Sequence, residues 1–230
     1  MEKEEFMFFI WLILYGSITL VAEYFSSLNA WIIPAGQLIN TLILIVWLRI
    51  RCQDRLLTFK FRRGQHWKMA LSGLAYLLPS VCQLAHFGIQ PRSVLDIFCI
   101  LLSVVQEEIL FRGILLNWLG RFGHTTSIVL SGIIFAALHL VNLAEGSEQA
   151  GLVFQLIYAA AAGIALSALA MSCKSLIPCI GIHLLNNLTA NDSTVLPTEY
   201  LPWFWLCVMI YLVCGIHKIC FLNNLNSGRK

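Results

Sequence analysis

Glu107 and Glu108 stand side by side inside an apolar stretch, VLDIFCILLSVVQEEILFRGILLNWLG, with Arg112 four residues past the second. A carboxylate at membrane depth costs roughly 2.5 kcal/mol or more unless it is paired or hydrated, so an adjacent pair marks a place where charge is used. On a helix, Glu108 and Arg112 share one face. Glu107 is turned about 100° away and faces a different partner. A division of labour follows: Arg112 neutralises Glu108 and fixes the helix, and Glu107 is left to hold a water or a metal.

Two further clusters place polar groups in apolar segments. In FAALH, His139 lies one helical turn beyond Phe135, and in HLLNN, His183 and Asn187 share a face. A bundle that packs the three segments together aims these groups at one interior point. Glu107, His139 and His183, from three helices, are a sufficient ligand set for a catalytic Zn²⁺ with an open position. The same pieces suit a hydrolase that activates water by carboxylate instead of metal. Each residue also has a plainer reading. Glu108 with Arg112 can be a structural ion pair, a single His or Asn can be interhelical glue, and Phe135 is packing under any hypothesis. Together, the polar groups exceed what glue requires. Gln106, beside the glutamates, has hydrogen-bonding capacity toward the same interior, and Asn186 points elsewhere on its helix. Glu23, His66, His86, Asp96, His124 and His217 sit at span ends or in loops and read as non-catalytic.

The elements that must position this chemistry are membrane helices. Of 230 residues, 59% are hydrophobic and 12% charged, with a mean hydropathy of +0.79; a soluble domain carries about 25% charged residues. Eight segments are long and apolar enough to suggest spans: 6–24, 29–49, 68–88, 94–118, 125–143, 150–172, 175–190 and 200–221. Pro79 is expected to kink the third. The seventh is short and polar, and must be surrounded by other helices or break near Pro178 and Gly181. The sixth carries YAAAAGIALSALA, a small-residue stripe that lets a neighbouring backbone approach closely. The fold expected is therefore an all-α, polytopic membrane bundle of about eight transmembrane helices. It forms one domain over 1–230, with the catalytic core at 95–190.

Lysine and arginine concentrate between spans two and three (Arg49, Arg51, Arg55, Lys60, Arg62, Arg63, Lys68), whereas the opposite loops hold only Arg92. The bias puts both termini in the cytoplasm. The acidic start MEKEEF has no cleavage site after the first apolar run, so that span is expected to be retained as an anchor. The basic loop reads as a membrane flank, and no nucleic-acid partner is expected. The eight cysteines (Cys52, Cys82, Cys99, Cys173, Cys179, Cys207, Cys214 and Cys220) form no CxxC and read as small packing residues.

In order, EEILFR, FAALH and HLLNN match the pattern EExxxR, FxxxH, HxxxN of the CPBP family of intramembrane proteases, over about residues 95–190. This family includes the membrane CAAX prenyl endopeptidases and the bacterial Abi proteins linked to bacteriocin processing and self-immunity. The resemblance implies an eight-helix intramembrane endopeptidase. It implies that Glu107 activates the attacking water with His139 assisting or co-ligating. His183 and Asn187 would stabilise the oxyanion or complete a metal site, and Glu108 and Arg112 would orient and balance charge. Zn²⁺ and a metal-free, glutamate-activated water are both compatible with it. The chain lacks HExxH, the local zinc signature. The partners implied are the lipid bilayer and a membrane-associated peptide or protein substrate. Two other classes compete: a non-catalytic immunity or regulatory scaffold that retains the fold, and an ion-coupled transporter. The transporter reading calls for an inverted repeat that the sequence does not show.

Overall fold

The computed structural model describes residues 31–51, 73–140, 149–190 and 197–227, with scattered positions between 9 and 29. The described residues are helical, with no strand among them. Helix α1 is Ile32–Arg51 and α2 is Leu78–Phe87, entered through a 3₁₀ turn at Leu74–Leu77. Helix α3 is Val94–Glu108; it passes without a break into a π-helical segment, Ile109–Leu115, and then into α4, Leu116–Leu119. Helices α5 (His124–Leu138), α6 (Gln149–Cys173), α7 (Ile177–Thr189) and α8 (Leu201–Ser227) follow. Spans two to eight each correspond to helix. Of span one, the described positions are helical and the rest, including Glu23, lies outside the described residues, as do His66, Cys52 and most of the basic loop.

The all-α class holds, but the helices are unequal, and the expected count of eight membrane spans is not reached among the described residues. Among the described residues, two stretches are long and apolar enough to cross a membrane, Gly151–Cys173 and Thr198–Asn224. Helices α2, α5 and α7 are about 15, 22 and 20 Å long at 1.5 Å per residue, short of the roughly 30 Å hydrocarbon core. Local chemistry explains the shortfall. Pro79 occupies the first turn of α2, where its missing N–H costs nothing, directly after the 3₁₀ turn at Leu74–Leu77. Gly88 ends α2 at φ +69°, and Gly123 precedes α5 at φ +90°, conformations that glycine adopts freely. Pro178 likewise sits in the first turn of α7, which then runs unbroken through Gly181. Ser93 and Asp96 form a reciprocal capping box that fixes the start of α3.

Helix α6 is the centre of the bundle, with α5 along one side and α8 along another. Its small-residue stripe makes both contacts, and Ala161, Ala162, Ala165, Ala168 and Ala170 are buried in the main core. The α5–α6 crossing is glycine on glycine. A methyl at Gly163 would lie 2.9 Å from the Gly132 Cα and 3.2 Å from the Phe135 ring; one at Gly132 would lie 2.6 Å from the Ile164 backbone nitrogen. Backbone cannot yield as a side chain does. Gly163→Ala should therefore separate the two helices, destabilise by about 1–3 kcal/mol and displace Phe135. Gly215→Ala, whose methyl meets the α6 backbone at 3.4 Å, should cost clearly less. Thermal unfolding of both variants in detergent checks the order.

Helix α1 packs on α3, and α7 packs on α3 and α2. The α1–α3 contact is polar: Gln106 donates to the Gln37 carbonyl (3.0 Å) and to Thr41 Oγ1 (2.7 Å) and accepts from Asn40 (3.0 Å). Arg92 donates to the Ala190 carbonyl at 3.0 Å, satisfying a backbone acceptor just past the end of α7. These ties hold α3 and α7, the two elements that carry the acidic and histidine clusters.

Candidate active site

Glu107 and Glu108 lie at the end of α3, immediately before the π-helical segment that carries Arg112. π-Helical segments recur at functional sites. Arg112 Nη1 donates to Glu108 Oε1 at 2.9 Å, with both side chains fully buried. The pair is single-toothed: Glu108 Oε2 and Arg112 Nε and Nη2 have no hydrogen-bond partner among the described residues. Arg112 is held from a second direction by an aromatic face, its guanidinium carbon lying 4.4 Å from the Phe135 ring centroid.

His183, on α7, reaches the same carboxylate. Its Nδ1 is 2.8 Å from Glu108 Oε1, and its Nε2 is 3.6 Å from Glu107 Oε2. An ionised carboxylate only accepts, so Nδ1 carries a proton and donates it. Glu108 thus sets the tautomer and turns Nε2 toward Glu107. The 3.6 Å separation exceeds a direct hydrogen bond and leaves this edge of the ring available to a third group. The two glutamates differ in access: Glu108 is sealed, whereas the Glu107 side chain is 24% exposed.

His139 ends α5, and its Nδ1 lies 3.1 Å from the Phe135 carbonyl. A carbonyl accepts only, so Nδ1 is again the protonated nitrogen and Nε2 keeps its lone pair. The imidazole meets the Phe135 ring edge-on at 5.0 Å, and His183 meets the same ring at 5.7 Å. Phe135 is therefore more than packing. It touches Arg112, His139 and His183 at once, and it also meets Phe111 at 5.0 Å. Asn187 is half-buried, one turn beyond His183 on α7. Asn186 points away from His183, as expected, and accepts from Tyr158 at 2.6 Å.

Glu107, Glu108, Arg112 and His183 are thus joined in one polar chain, and His139 is attached to it through Phe135. Among the described residues no three His, Cys, Asp or Glu side chains group to hold a metal ion. His183 and His139 each commit Nδ1 to an acceptor, the Glu108 carboxylate and a backbone carbonyl, and leave Nε2 open, which is also the orientation of a metal-bound imidazole. Of the residues set aside as non-catalytic, Asp96 caps α3, His86 stacks on Phe87 and Tyr200, and His217 is exposed. The seven described cysteines are free, consistent with packing. The contact between Glu108 and His183 has no sequence signal, because the two are 75 residues apart.

Residues 90–189, the stretch in which the three motifs lie, match the family model described as Type II CAAX prenyl endopeptidase Rce1-like. No curated protein and no solved structure matches the chain.

Proposed function

We propose that this protein is an intramembrane endopeptidase that hydrolyses a peptide bond in a membrane-associated peptide or protein, with Glu107 as the base that activates water. The observation that carries this reading is the contrast between the glutamates. Glu108 is sealed and committed to Arg112 and His183, while Glu107 is accessible and faces the Nε2 edge of His183. A general base must be reachable by its water, and the group that orients the machinery need not be.

The reaction follows from these roles. Glu107 takes a proton from a water whose oxygen attacks the scissile carbonyl, forming the C–O bond. The resulting oxyanion accepts hydrogen bonds from the Asn187 side-chain amide and, in the doubly protonated form of the ring, from His183 Nε2–H, the groups on the facing surface of α7. Collapse breaks the C–N bond, and the proton on Glu107 passes to the departing amine. His139, with Nε2 unprotonated, assists in handling that proton. Arg112 holds the Glu108 carboxylate, which holds His183. These steps use the chain's own side chains, with Glu107 alone activating the water. Cleavage should accordingly persist, within about twofold, in the presence of a strong divalent-metal chelator. Loss of activity on chelation, restored by Zn²⁺, would overturn the metal-free reading while leaving the protease reading intact.

The setting proposed is a multi-pass membrane bundle with both termini cytoplasmic, supported by the lysine and arginine bias of the second loop. The shorter helices would be surrounded by α6 and α8, since backbone away from lipid can end or turn inside a membrane. The glutamates lie near the middle of the run from Val94 to Leu119, which supports a reaction at depth. CAAX-type processing, maturation of a bacteriocin-like peptide and self-immunity are the substrate settings in view. Purified protein in liposomes, presented with peptides that do or do not carry a lipidated cysteine, tests the reading by mass spectrometry of the products. Defined cleavage products that disappear in His139→Ala are expected; products unaffected by that change would remove His139 from the mechanism.

A further inference from the structure

A second polar network lies one helical turn along α7 from the site and contains none of the motif residues. Gln83 on α2 donates from Nε2 to the Tyr158 hydroxyl at 3.0 Å; Tyr158 on α6 donates to Asn186 Oδ1 on α7 at 2.6 Å. Thr189, at the end of α7, closes the circuit by donating to Gln83 Oε1 at 2.9 Å. Gln83 and Asn186 are buried. The Tyr158 ring is wedged against Phe204 and Tyr211 of α8, at 6.2 and 5.7 Å, so the hydroxyl is fixed from behind.

The consequence lies in where Asn186 sits. It is three residues from His183 and adjacent to Asn187 on a helix of 13 residues. A short helix has few apolar contacts with which to fix its rotation. A rotation of one residue's worth, about 100°, would carry His183 off Glu108. Three elements, α2, α6 and α7, are instead locked by directional bonds whose partners are buried and costly to leave unmade.

We infer that Tyr158, through Asn186 and with Gln83 behind it, is a positioning residue that sets the rotation of α7 and so keeps His183 and Asn187 facing Glu107. This rests on the endopeptidase reading given above. The hydroxyl is the part that matters; the ring alone would serve packing.

The test compares wild type, Tyr158→Phe, the double variant Tyr158→Phe/Asn186→Leu, and Glu107→Gln in the liposome cleavage assay, with thermal unfolding of each. Tyr158→Phe is expected to lower kcat by about 10- to 100-fold with KM changed less than about twofold, the signature of misplaced groups and not of lost substrate binding. The double variant removes the Asn186 acceptor along with the hydroxyl and leaves only Gln83 Nε2 without its partner, so its unfolding temperature is expected to recover part of the way toward wild type while its kcat stays low. If kcat recovers along with stability, or if Tyr158→Phe unfolds earlier yet keeps full kcat, the network is structural glue and the inference fails. Glu107→Gln separates the two levels: if it retains cleavage, the assignment of Glu107 as the base fails, and if the wild type cleaves no peptide the endopeptidase reading fails, in either case independently of anything Tyr158 does.

Discussion

Replacing Glu107 by glutamine should abolish peptide cleavage, lowering kcat by about 10²–10⁴-fold, the usual worth of a positioned base, while leaving the fold intact. Glutamine has the shape of glutamate and keeps an acceptor oxygen, but at neutral pH it cannot take a proton from water. Glu107 makes no bond that the bundle depends on. Among the described residues it faces His183 Nε2 at 3.6 Å, beyond a direct hydrogen bond, and about a quarter of its side chain is open. Unfolding temperature should therefore change little, and substrate should still bind. Unchanged binding with lost turnover identifies an interaction made only in the transition state. Glu108→Gln should behave differently, because Glu108 accepts from both Arg112 and His183 in a fully buried position.

Arg112→Met should be the most damaging single change to stability, by about 3–5 kcal/mol, because it leaves the Glu108 carboxylate buried without its counter-charge. Two structural facts sharpen the expectation. Neither side chain of the pair touches solvent. The Phe135 ring that receives the guanidinium at 4.4 Å loses its cation as well, and that ring also supports both imidazoles. Adding Glu108→Gln to Arg112→Met removes the stranded charge and should return much of the stability, since neutral replacements of a buried pair are often tolerated. Cleavage should stay low in the double variant, because His183 then faces a neutral amide instead of a carboxylate. Thermal unfolding in detergent, beside the cleavage rate, measures both parts. Equal recovery of stability and rate would show that the pair serves the fold alone.

The site was largely legible in the sequence because its residues are out of place there. Glutamate, arginine and histidine in apolar segments are costly, and the i,i+4 spacing of Glu108 and Arg112 survives as a direct contact. The helices were legible for the same reason, as apolar runs bounded by Gly88, Gly123, Pro79 and Pro178. What the sequence does not carry is how those runs are divided and wound. An apolar count cannot tell a proline in the first turn of a helix, as at Pro79 and Pro178, from one that kinks it. The π-helical winding of Ile109–Leu115 has no compositional mark. Phe135 reads as packing from its type alone; its role under Arg112 and between the histidines depends on α5 meeting α6 at Gly132 and Gly163. Tyr158 is invisible in the same way, because Gln83, Tyr158 and Asn186 come from three separate helices.

The most direct test of the central claim is a side-by-side cleavage assay of wild type and Glu107→Gln in liposomes, using lipidated and unlipidated peptides and mass spectrometric identification of the products. Glu107 as the water-activating base predicts new amino and carboxyl termini at one defined bond with the wild type and essentially none with the variant, although both proteins unfold at the same temperature. Products formed by the glutamine variant at the wild-type rate would contradict it and remove Glu107 from the chemistry.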